Sequence, residues 1–94
     1  MKVYVLAYDI VNEASDTFDY QPLWNELLRL NAQRTLLSFW LVRLENSPRE
    51  VAEHFKSFVD EPDRIWVTQL RKGEYHYEEA LPGTNAWIDT NPPT

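Results

Sequence analysis

Residues 2–10, Lys-Val-Tyr-Val-Leu-Ala-Tyr-Asp-Ile, constrain the fold of this chain more than any other stretch. β-Branched and aromatic residues dominate, with no Gly or Pro among them, so the stretch reads as a strand. Side chains on a strand alternate between faces. Val3, Val5 and Ala7 therefore point one way, and Tyr4, Leu6, Tyr8 and Ile10 the other. A strand apolar on both sides belongs in the middle of a sheet. Asp9 breaks the pattern on the face of Val3, Val5 and Ala7. An acid at the mouth of a central strand either caps a turn or carries chemistry.

The rest of the chain supplies partners for that strand. Residues 11–20 form a polar loop with Asn12, Glu13, Asp16 and Asp19. Asp19 as N-cap and Pro22 in the first turn start a helix that runs to about Leu30 and stops at Asn31. Leu23, Leu27 and Leu30 form its buried stripe, with Trp24 and Leu28 beside it. Residues 33–45 are again apolar on both faces and long for one strand; a bulge or tight reversal at Ser38 would divide them, but no Asn-Gly or Asp-Gly turn marks the place. Ser47-Pro48-Arg49-Glu50 is a capping box, and it opens a helix with Val51, Ala52, Phe55, Phe58 and Val59 on its core face, ending near Asp60 ahead of Pro62. Residues 63–70 read as a further strand and residues 74–78 as a short exposed or edge strand. An irregular tail with Pro82, Gly83, Pro92 and Pro93 follows, anchored by Trp87 and Ile88.

If residues 33–45 are two strands, the order is βαββαβ, an α+β, ferredoxin-like sandwich with two helices on one face of an antiparallel sheet. Ninety-four residues make one such domain, with 44% apolar residues for its core. A sandwich this small leaves the second sheet face bare. An apolar face of several hundred Å² marks an interface, which predicts a homodimer packed sheet on sheet.

Composition excludes several functions. Without cysteine there are no disulfides or thiolate metal sites, and two glycines are too few for a Gly-rich phosphate loop. A formal charge of −6 disfavours broad nucleic-acid binding and suits a protein partner. The first residues are too short and too interrupted for a signal peptide, and no apolar run reaches membrane length, so a cytoplasmic protein is expected, with no membrane contact.

Tyr8-Asp9-Ile10-Val11-Asn12, Ser38-Phe39-Trp40, a capped helix and Asp63-Arg64-Ile65-Trp66-Val67 occur in this order and spacing. Together they resemble the Cas-two family of small CRISPR-associated proteins of spacer acquisition, nearest to its stand-alone SinR-like branch. The similarity spans residues 1–78, leaving 79–94 as an irregular C-terminal extension. It implies a ferredoxin-like fold, a symmetric dimer across the sheets and, in some members, a metal-dependent nuclease. In those members the aspartate matching Asp9 meets its symmetry mate and holds a divalent ion, Mg²⁺ by its oxygen preference. Other members act as scaffolds without it, and the virulence-associated RNA-cleaving toxins are a further relative. The acidic charge departs from the basic surfaces of nucleic-acid-handling members.

Asp9 is thus the expected catalytic and metal-binding residue, with Asn12 and Ser38 positioning substrate. Each has a plainer reading: a loop cap for Asp9, a solvated loop residue for Asn12, a reversal for Ser38. His54 is expected at the surface of the second helix and His76 in a structural role among acids. Tyr4, Tyr8, Phe39 and Trp40 are expected in core or dimer packing rather than stacked on bases.

Overall fold

The computed structural model describes residues 1–11 and 18–94. In chain order the elements are β1 (Lys2–Asp9), α1 (Gln21–Arg29), β2 (Gln33–Leu36), β3 (Phe39–Leu44), α2 (Pro48–Lys56), β4 (Arg64–Gln69) and α3 (Thr84–Thr90). The four strands form one antiparallel sheet in the order β2-β3-β1-β4, with β1 central as expected. Among the described residues no helix is long and apolar enough to cross a membrane.

Residues 33–45 divide into β2 and β3 at Leu37 and Ser38. Thr35 slips the register between Arg34 and Leu36, and the Arg34 guanidinium donates to the Leu37 carbonyl, holding the reversal closed. These interactions replace the missing Asn-Gly signal. α1 ends in a Schellman motif: Asn31 takes φ 58°, its N–H donates to the Leu28 carbonyl and that of Ala32 to the Leu27 carbonyl. α2 opens on the expected box, with Glu50 N–H donating to Ser47 Oγ and Ser47 N–H to Glu50 Oε1. It ends at Lys56, a turn earlier than expected, because the Lys56 ammonium donates to the carbonyls of Asp60, Glu61 and Asp63 and folds the chain back.

α1 and α2 seal one face of the sheet. Tyr4, Leu6, Tyr8, Trp40 and Val42 from the strands pack on Leu23, Leu27, Val51, Phe55 and Val59, all buried. The Tyr8 hydroxyl accepts from both Trp24 Nε1 and Trp40 Nε1. Leu28, expected beside the α1 stripe, faces solvent instead. Glu26 of α1 binds Arg29 through two bonds and reaches His54 of α2 at 2.7 Å. The Arg29 bonds hold its carboxyl down to about 2, with His54 adding to the effect against the opposing influence of burial.

The second face is not bare. The tail expected to be irregular forms α3, which lays Trp87 on Val3, Val5 and Leu41, with Ile88 packed alongside. Trp87 Nε1 donates to the Asn31 carbonyl at 2.7 Å, and Leu81 N–H to that of Thr35. Leu41 is thus buried within one chain, without a dimer. The edge strand expected at 74–78 does not form; those residues make turns and extended chain leading to α3. Among the described residues, the part of this face beyond α3 carries the exposed side chains of Leu36 and Trp66.

Candidate active site

Asp9 ends β1 on this second face, directly across from Arg64, the first residue of β4. The Asp9 carboxylate lies 3.8 Å from Arg64 Nη1, and both side chains are 72% exposed. A solvated pair of this kind contributes about 0–1 kcal/mol, so Arg64 does not lock Asp9 away from other partners. Among the described residues, Asp63 holds the chain that follows β1: its Oδ1 accepts the Val11 N–H and its Oδ2 accepts the Asp60 N–H and the Tyr20 hydroxyl. Burial pushes the Asp63 carboxyl up, but the Tyr20 hydroxyl, the two backbone N–H groups and the Lys56 charge outweigh it and hold the group below the usual aspartate value.

The hairpin brings Ser38 to the same place. Its carbonyl accepts the Tyr8 N–H at 3.1 Å, and its side chain is exposed. Ala7, Asp9, Ser38, Phe39, Arg64 and Trp66 border an open hollow of about 410 Å³. The structure thus joins Asp9 to Ser38, while Asn12, Glu13 and Asp16 lie outside the described residues. The histidines stand elsewhere: His54 bridges the two helices, and His76 is exposed and pairs with Glu78.

Chemically, the hollow offers an unburied carboxylate, a hydroxyl and a guanidinium fork. Carboxylate oxygens suit Mg²⁺, which is commonly held by one or two carboxylates with several waters retained. The fork suits a phosphate. Among the described residues no group of three or more His, Asp or Glu forms a metal cage. Among the described residues, Asp9 is the carboxylate that borders this hollow.

Sequence reasoning named neither Arg64 nor Trp66 as part of this site, because only the β1–β4 register sets them beside Asp9 and Ala7. Asp63 was equally silent, its partners Val11 and Tyr20 lying more than 40 residues away in sequence. No family model matches the chain, and no solved structure matches it.

Proposed function

We propose that this chain is a Cas-two-like, ferredoxin-like protein that acts as a homodimer and as a divalent-metal-dependent endonuclease on phosphodiester bonds of RNA or DNA. The observation that carries the reading is Asp9: an exposed carboxylate ending the central strand, on the sheet face α3 leaves open, with Ser38 and Arg64 beside it. The βαββαβ order and the strand order β2-β3-β1-β4 agree with it. In this reading Asp9 from each of two copies holds one Mg²⁺. The bound ion supplies charge neutralisation and an activated water. Arg64 receives the phosphate, and Ser38, with Asn12, orients it.

Two observations favour a second reading, a non-catalytic dimeric scaffold with a protein partner. The chain carries a formal charge of −6, and Asp9 already has a cation within reach in Arg64.

The deciding experiment incubates freshly purified protein with single- and double-stranded RNA and DNA in Mg²⁺, and measures the dimer constant with and without the ion. The endonuclease reading expects cleavage that Asp9→Asn abolishes, and a dimer that Mg²⁺ tightens in wild type only. Cleavage surviving Asp9→Asn overturns the site assignment. No cleavage of any substrate, with a dimer indifferent to Mg²⁺, establishes the scaffold.

A further inference from the structure

The strap that carries the chain from β4 to α3 closes over the second face without filling it. Exposure alternates along the strap: Tyr75 and Tyr77 are half-buried, while Glu74, His76 and Glu78 face solvent. Between strap, sheet and α3 lies a pocket of about 250 Å³, with Leu36, Phe39 and Leu41 as its floor, Tyr75 and Tyr77 as its roof and Ile88 at one end. Protein interiors pack densely and seldom leave a void larger than a water. A pocket of this size is space that the chain's own apolar side chains surround and do not occupy. It shares Phe39 with the hollow at Asp9, but Asp9, Ser38 and Arg64 do not line it.

Its polar groups are few. No Asp, Glu, Lys or Arg is among the described residues that line it. His76 stands at its edge with the side chain 80% exposed and paired with Glu78. The register slip in β2 lets Thr35 join Leu36 on this side, 3.4 Å from the Thr84 hydroxyl of α3. Thr35 is 5% exposed and Thr84 2%. The single Thr84 proton goes to the Leu81 carbonyl at 2.8 Å. Thr35 Oγ1 is left with contacts of 3.4 Å to Thr84 and 3.4 Å to the Gln33 carbonyl. Both exceed the roughly 2.5–3.0 Å of an O–H···O bond, whereas buried hydroxyls ordinarily make a good one.

We infer that this pocket binds a small uncharged molecule, one ring carrying a hydroxyl, with the ring between Phe39 and the two tyrosines and the hydroxyl on Thr35. The inference is independent of the nuclease reading, whose groups lie outside the pocket. The lining selects the class. Apolar walls with a few placed polar groups are the usual composition of a small-molecule site. A charged ligand would lose its hydration with no opposite charge on the walls to replace it. A dry cavity of about 150 Å³ takes a benzene ring, so this one has room for a ring with roughly two or three more heavy atoms. Entry is through the strap. Tyr75, His76 and Tyr77 also border a wide surface groove of about 1070 Å³, so one thickness of chain separates the pocket from solvent. That chain forms neither helix nor strand between Arg71 and Gly83.

Methyl NMR titration of the intact chain with 4-methylphenol tests the inference, with toluene and benzoate as companion probes. 4-Methylphenol should shift the methyls of Leu36, Leu41, Leu70 and Ile88 saturably, with a Kd of about 1 mM or tighter. Benzoate should bind at least about tenfold more weakly. Thr35→Val keeps the shape and removes the hydroxyl. It should weaken 4-methylphenol by roughly fivefold and leave toluene unchanged. Ile88→Phe and Leu36→Phe each fill the pocket from a different wall and should weaken both neutral probes by at least about tenfold; Leu36 is half exposed, so its variant folds even if the other does not. Several outcomes overturn the inference: no saturable shift up to about 10 mM, shifts confined to exposed residues such as Leu37, benzoate binding as tightly as 4-methylphenol, or Thr35→Val weakening both neutral probes alike. So does a shift of the same methyls with protein concentration alone, which assigns the pocket to a second copy.

Discussion

The two faces of one sheet are built differently. On one, α1 and α2 bury ten side chains into a single cluster, and what they need is written locally as heptad-like spacing and caps. On the other, a seven-residue helix covers Val3, Val5 and Leu41 with one indole, while Leu36 and Trp66 stay exposed. The sealed face specifies the fold. The half-sealed face holds Asp9 and every group placed around it. Marginal cover makes this face part core and part exposed surface.

The contrast is sharpened first by emptying the sealed face. Leu27 is fully buried beneath α1, and Leu27→Ala should lower the unfolding free energy by about 2–5 kcal/mol in a denaturant titration. A loss under 1 kcal/mol would mean that the helix layer is far looser than its burial implies.

Next comes the half-sealed face. Trp87→Phe keeps an aromatic ring but removes the indole N–H that satisfies the Asn31 carbonyl. It should cost about 1–3 kcal/mol, and hydrogen exchange should quicken in α3 while the amides of β1 stay protected. Equal loosening of both would erase the distinction between the faces.

The smallest effect is pH-dependent and lies on the sealed side. Glu26 ionises at about 2 in the folded chain against 4.5 ordinarily. A depressed carboxylate stabilises fully above its unfolded pKa and loses that contribution as pH falls through the folded value. Glu26 should thus stabilise the fold above pH 4.5 and progressively less toward pH 2, by about 1 kcal/mol, since Arg29 and His54 are solvent-screened. Glu26→Gln should flatten the stability curve over that interval, and an unchanged curve would show that the clasp between the helices carries no weight.

What could be read from the residues alone follows the same division. The Ser47–Glu50 box, the Leu23/Leu27 stripe and the central position of β1 all depend on neighbours within four residues, and the structure has them. The hairpin at Ser38 was left open because its closure depends on Arg34 and a register slip rather than on turn residues. α3 was missed because seven residues behind Gly83 carry little helical signal; what holds them is the Asn31 carbonyl, 56 residues away. For the candidate site, Asp9 was visible as an acid ending an apolar strand. Arg64 and Trp66 were not, since a cross-strand neighbour is a property of the register.

The Tyr8 hydroxyl, shared by two indoles, has an optical consequence. Of the four tryptophans, Trp24 and Trp40 converge on that one oxygen beneath the helices, Trp87 is shielded under α3, and Trp66 stands in water. The chain's own fluorescence is therefore sorted by place: a quencher confined to solvent sees Trp66 first, and a ring whose emission shifts to the blue at high concentration is the one that has found cover.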